Sequence, residues 1–198
     1  MKAIDTMFVF LAPGAERAGK RIEQQTAGGV NAFVWVPDAE AAAEVVAAQA
    51  AAGLELVELY RGFGLREARR VVDAVAERAP VGVSGFGFGA AAGGAVGDSV
   101  TIYGADLDDP GVRRVEVEIA GRRTSVVPVA DAAGAAKAAA EAVDAGAEVV
   151  EICGGTPLTT AALVEQELAG RAAVGLVSWP FESITGAAAY KAAFEARA

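Results

Sequence analysis

The chain of 198 residues has no histidine. That removes the usual general base near neutral pH and every Ser-His-Asp or Cys-His arrangement. It also removes the common zinc sites and the facial-triad iron sites. A single cysteine excludes an internal disulfide framework. No apolar run reaches the roughly 20 residues of a membrane span. The opening Met1-Lys2-Ala3-Ile4-Asp5 lacks the apolar stretch and cleavage site of a signal peptide, so a cytoplasmic location is expected. Basic clusters are missing too. The net charge is −9, and Lys and Arg occur in short pairs such as Arg69-Arg70 and Arg113-Arg114. Phosphate contacts dominate nucleic-acid affinity, so no nucleic-acid partner is expected. Any chemistry must come from carboxylates, Cys, Tyr, Arg or Lys.

What is present is the same pattern twice. Residues 7–85 moved along by 93 positions fall on residues 100–178 without a gap, and 21 of the 52 pairs beginning at Val34 and Val127 are identical. Alanine inflates that figure, but Asp38 with Asp131, Glu58 with Glu151, Gly62 with Gly155 and Gly82 with Gly175 do not depend on it.

Each copy reads β-β-β-α-β-α-β. Met7 to Leu11 and Val100 to Gly104 are short buried strands. A hairpin follows. Val115, Val117 and Ile119 alternate with charged residues, Gly121-Arg122-Arg123 turns, and Thr124 to Val129 returns. In the first copy the pair is Arg21 to Thr26 and Val30 to Val36, with a helix over 15–25 as the competing reading. Asp38 and Asp131 stand at helix N-caps, and Gly53 and Gly146 at the helix ends. Strands at Leu54 to Tyr60 and Ala147 to Cys153 precede second helices from Leu65 to Ala79 and from Leu158 to Ala169. Thr156 is placed to cap the latter, with Pro157 as its first residue. Val81 to Ser84 and Val174 to Ser178 are closing strands, parallel to their neighbours if the crossovers are right-handed.

The expected fold is therefore α/β, with two pseudo-symmetric repeats, 1–92 and 93–198, forming one compact unit with largely parallel sheets. Two packed lobes resembling a fused dimer are preferred. A TIM-barrel-like ring is the alternative, and one continuous sheet a third arrangement. The glycine-rich junction Gly85 to Asp98 lacks the helix a (βα)8 barrel would place there.

The words Phe8-Val9-Phe10-Leu11-Ala12-Pro13-Gly14-Ala15, Glu58-Leu59-Tyr60-Arg61-Gly62-Phe63-Gly64 and Val81-Gly82-Val83 resemble a family of small bacterial α/β proteins of unassigned function. Its members carry an FLAPGA-like strand end and an ELCGGFG-like motif, typically in one copy, so the resemblance implies a tandem duplication. The copies depart from the motif in complementary ways. The first has Tyr60-Arg61 where Cys-Gly is usual, and the second has Thr156-Pro157 for Phe-Gly. A monomeric pseudo-dimer or a homodimer with two unequal sites is implied.

Glu58 and Glu151 lead the candidates. A carboxylate inside an apolar strand is pushed toward neutral pKa by desolvation, as a general acid or base requires. The competing reading is a structural acid that bonds backbone N–H groups or an Arg. Tyr60 is a candidate proton donor or a packing residue. Cys153 is a candidate nucleophile at a strand-to-helix turn or a small buried apolar residue. Arg61 could meet a ligand carboxylate or enolate, or lie in solvent. Gly62, Gly155 and Thr156 could cradle an oxyanion, or simply make tight turns. Trp35 and Trp179 could wall an apolar pocket, or pack in the core. Gly85-Phe86-Gly87-Phe88-Gly89 imitates a dinucleotide fingerprint without the following helix, so no cofactor is expected, and the segment reads as a linker or a lid. Asp106, Asp108 and Asp109 make an acidic turn rather than a metal site.

The functional expectation is a cofactor-independent isomerase, dehydratase or cyclase working by acid/base chemistry on a small or polyketide-like organic substrate. A non-catalytic small-molecule binding or assembly protein is the alternative.

Overall fold

The computed structural model describes residues 4–86 and 96–196. Most of the linker motif, from Gly87 onward, lies outside them.

In the first half β1 (Thr6–Leu11), β2 (Lys20–Thr26) and β3 (Gly29–Val36) precede α1 (Ala39–Ala50), β4 (Leu56–Tyr60), α2 (Leu65–Val75) and β5 (Val81–Phe86). The second half repeats the series as β6 (Ser99–Gly104), β7 (Val115–Ile119), β8 (Arg122–Val129), α3 (Ala132–Asp144), β9 (Val149–Ile152), α4 (Leu158–Leu168) and β10 (Ala173–Ser178). A short 3-10 turn, Phe181–Ser183, leads into α5 (Ile184–Glu195), which has no counterpart among the described residues of the first half.

Local chemistry explains these boundaries. The Asp38 carboxylate accepts from Ala41 N at 2.8 Å, and that of Asp131 from Gly134 N at 2.7 Å, so both first helices start on a true cap. Gly53 and Gly146 follow the helix ends at φ +99° and +101°, a conformation costly for any residue with a Cβ. The helix considered for 15–25 does not form. Residues Lys20–Thr26 pair antiparallel with β3, which puts Ile22 and Gln24 on the inward face. The cap expected from Thr156 is also absent. Pro157 itself is the N-cap of α4, without a side-chain bond, and the Thr156 hydroxyl is buried without a partner.

The strands form one ten-stranded sheet in the order β2-β3-β1-β4-β5-β10-β9-β6-β8-β7. Pairing is parallel within each half apart from the hairpins, and the halves join through antiparallel β5 and β10. Each half carries its two helices on its outer face, over separate apolar clusters around Val46 and Val71 and around Ala139 and Val164. The inner faces share a third cluster. Phe8 and Phe33 from the first half each lie 6.0 Å, centroid to centroid, from Tyr103 of the second.

Those strands are far apart in the sheet order, so the sheet must curl on itself. The seam is closed where Gln24 Nε2 donates to Arg113 O at 2.7 Å and Ala27 N donates to Asp109 Oδ2 at 2.6 Å. The lobe, ring and continuous-sheet pictures each describe part of this: two helix-backed lobes in a single curled sheet.

Candidate functional site

Residue alternation along the strands decides what enters the curl. On β4, Val57 and Leu59 face the helices, while Glu58 and Tyr60 face inward. On β9 the equivalent inward residue is Glu151. Both glutamates are essentially inaccessible, at 1% and 0% exposure. In register, Phe8, Glu58 and Gly82 form one inward row, and Thr101, Glu151 and Gly175 form its pseudo-symmetric copy.

The two carboxylates bond crosswise between the halves. Glu58 Oε1 accepts from Gly154 N at 3.0 Å, and Glu151 Oε1 accepts from Arg61 N at 2.9 Å. Gly154 and Arg61 are themselves equivalent positions, each three residues beyond its own half's glutamate. Every bond therefore ties one half's strand to the turn of the other.

Beyond this shared bond the sites differ. Glu58 also accepts from the Tyr60 hydroxyl at Oε2 and from Cys153 Sγ at 3.7 Å. Tyr60 and Cys153 are equivalent in the repeat, yet both turn to the same acid. Glu151 Oε2 has no hydrogen-bond partner, and neither do the buried hydroxyls of Ser84 and Thr101. Thr101 is directly beside Glu151 in the β6–β9 register, and Ser84 is close enough to favour its charged form.

The electrostatics follow. Burial raises the pKa of Glu58, opposed by Tyr60, Cys153 and Gly154. Burial raises that of Glu151 to about 7, opposed mainly by the Arg61 N–H. The Tyr60 hydroxyl and the Cys153 thiol are both pushed well above their usual values, first by burial and then by the charge of Glu58, which keeps them neutral donors. A thiol held neutral in this way is a poor nucleophile.

The remaining candidates fall in three places. Arg61 is 3% exposed and has φ +66°. Its guanidinium donates to Leu11 O at 3.2 Å, to Val96 O and Gly97 O at 3.0 Å, and to the Ser99 hydroxyl, so its donors face the protein itself. Trp35 lies in the shared core, its ring stacked 4.9 Å from Phe10, with its indole N–H unpartnered. Half-buried Trp179 covers Gly82 and Gly154. A Cβ on Gly82 would lie 2.9 Å from its ring, and one on Gly154 3.0 Å. Gly62 takes φ +83° in the turn after Arg61, while Gly155 is exposed and donates to Cys153 Sγ at 3.5 Å.

Asp109 accepts from Ala27 N and Gly111 N, and Asp106 from Asp108 N, as in an ordinary acidic turn. Among the described residues no group of three or more Cys, Asp or Glu side chains is arranged to hold a metal. None of their helices is long and apolar enough to cross a membrane.

Ser84, Thr101 and Gln24 are among the buried polar residues that the sequence did not single out. A signal existed for the first two. Their equivalents in the other copy are Val177 and Phe8, so a hydroxyl stands where the duplicate is apolar.

Fold and site together define a tandem-repeat α/β protein with a crossed pair of buried acids. The chain belongs to the Family of unknown function (DUF6506), whose model matches twice, over residues 4–99 and 98–192. No curated protein matches the chain. A crystal structure of an ABC transporter solute binding protein from Mycobacterium smegmatis with bound glycerol is similar at 12% identity, over 84% of this chain and 70% of that one, with a TM-score of 0.29. A likeness at that level bears on neither fold nor function.

Proposed function

We propose that the protein is a non-catalytic small-molecule binding or assembly protein in which Glu58 and Glu151 are structural. The observation that carries this reading is the crossed bonding of the two carboxylates to Gly154 N and Arg61 N. A carboxylate that holds the opposite half's backbone is committed to the fold, and the Arg61 guanidinium beside it is engaged with three carbonyls and a hydroxyl. Two depressions among the described residues lie elsewhere, against α3 and around Asp98 and Arg123.

A second reading has one specific observation in its favour. Glu151 Oε2 carries no hydrogen bond, Thr101 stands beside Glu151 in register and Ser84 favours its charged form, and burial raises its pKa to about 7, as suits a general acid or base. Under that reading Glu151 moves a proton at carbon on a small organic substrate, in an isomerase, dehydratase or cyclase.

The test incubates the wild type, Glu58→Gln and Glu151→Gln with a metabolite extract of the source cells and follows it by mass spectrometry. The binding reading expects a retained or depleted compound without product, and folded variants of altered stability. A product formed by wild type and lost in Glu151→Gln would replace it with the enzyme.

A further inference from the structure

The two ends of the interior are closed by different means. At one end the chain supplies a cation. Arg61 follows β4, is 3% exposed, and its guanidinium donates to Leu11 O, Val96 O, Gly97 O and the Ser99 hydroxyl. Its charge favours the ionised form of Glu151.

At the other end the equivalent positions bring no cation. Gly154 stands where Arg61 does, and Gly104, Ile4 and Thr6 stand where Leu11, Gly97 and Ser99 do. A side chain has no room at 154, because its Cβ would lie 2.8 Å from Glu58 Oε1 and 3.0 Å from the Trp179 ring. Glu58 is 1% exposed, and its carboxyl feels burial, Tyr60, Cys153 and the Gly154 N–H, with no cation among the described residues. A buried carboxylate without a counter-charge is costly to ionise.

This end is covered rather than packed. The Thr6 hydroxyl, the match of the one Arg61 engages, bonds the Tyr190 hydroxyl of α5 at 3.0 Å. Glu58 and Cys153 both lie close enough to Tyr190 to act on its hydroxyl. Trp179 and Tyr190 are half-buried, and α5 buries no residue of its own. Cys153 is half-buried too, whereas its counterpart Tyr60 is fully enclosed.

We propose that the Glu58 end binds a small guanidinium compound, whose cation enters between Thr6 and Glu58 as Trp179 and Tyr190 move aside. The ligand's form is that of the Arg61 head group, a planar fork of donors that serves several carbonyls and a hydroxyl at once. Its charge is the one Glu58 lacks, and aromatic rings at the mouth suit a cation. The inference rests on the binding reading above and names the class of its ligand.

The experiment titrates the full chain with propylguanidine and with its neutral isostere propylurea at constant ionic strength, following backbone amide shifts and tryptophan emission. Propylguanidine should give saturable shifts at 4–6, 58–60, 153–154 and 179–190 and change the emission, and propylurea should do neither. Glu58→Gln should weaken binding about tenfold or more. Tyr190→Phe, which frees the Thr6 hydroxyl without touching Glu58, should strengthen it a few-fold. Equal binding of propylurea, shifts that do not saturate or fall elsewhere, or either variant binding like wild type would overturn the proposal. A neutral or anionic compound retained from the cell extract would count against this ligand class while leaving the binding reading intact. A product made by wild type would overturn that reading without changing the titration.

Discussion

Replacing Glu151 by glutamine should stabilise the protein above neutral pH, although Glu151 is buried and hydrogen-bonded. The folded pKa is about 7 against an ordinary 4.5. Between those values the folded chain holds a proton that the unfolded chain releases, so stability falls as pH rises through that window and then levels off. At 1.36 kcal/mol per unit the carboxylate costs roughly 3 kcal/mol once ionised in both states. Integrated from about pH 5 to about pH 8, the loss is about 2 to 3 kcal/mol. Glutamine carries no such titration. Its amide oxygen can keep the Arg61 N–H, and its amide nitrogen can donate to the unpartnered hydroxyls of Ser84 or Thr101.

The assay is urea unfolding of wild type and Glu151→Gln at intervals across that range, with slopes compared to exclude changes in the denatured state. The difference in unfolding free energy should move in favour of the variant by about 2 to 3 kcal/mol from the acid to the alkaline end. Parallel profiles, with a difference independent of pH, would refute the placement of a protonated Glu151 in the interior.

Three further substitutions test the frame around it. Glu58→Gln should destabilise by about 1 to 3 kcal/mol in urea unfolding, because one amide oxygen cannot accept from Tyr60, Cys153 and Gly154 together. Gly82→Ala should cost about 1 to 3 kcal/mol and alter tryptophan emission, since its Cβ would fall 2.6 Å from Val177 Cγ1 and 2.9 Å from the Trp179 ring. Asp38→Ala and Asp131→Ala should each lower stability by about 1 kcal/mol, and the double variant by their sum, because the two caps belong to separate helices.

The repeating unit was legible because its signals are local. Caps, glycine stops and period-two alternation are set within a few residues, and the strands and helices they imply form close to the expected positions. The helix considered for 15–25 failed because Ile22 and Gln24 face inward in the curl, a tertiary condition outside the segment. The turn Phe181–Ser183 and α5 lie beyond the duplicated pattern, so no second copy supported them. α5 buries no residue of its own, and what ties it down is remote: Tyr190 bonds Thr6 at 3.0 Å, and the Ser183 hydroxyl just before it accepts from Val81 N at 3.0 Å. The joining of β5 to β10 was not legible either, because an edge strand carries the same hydrophobic pattern whether it ends a lobe or pairs with another.

The candidate site was legible as a pair of acids but not as an unequal pair. Duplication supplies each glutamate with one backbone donor from the opposite half, and that symmetry survives. Divergence then acted on four inward positions. Tyr60 and Cys153 stand at equivalent places, and both became donors to Glu58. Thr101 and Ser84 put hydroxyls beside Glu151 where the other copy has Phe8 and Val177. The result is one carboxylate with three donor groups and one held by a single backbone N–H with Ser84 nearby. A purely structural clasp needs only the symmetric bonds. It does not by itself account for the polar groups that gather near Glu151, with Thr101 beside it in register and Ser84 favouring its charged form. Opposite signs for Glu58→Gln and Glu151→Gln would place the cost of burial at Glu151, and would make the second copy's acid, rather than the pair, the position at which binding and chemistry are to be told apart.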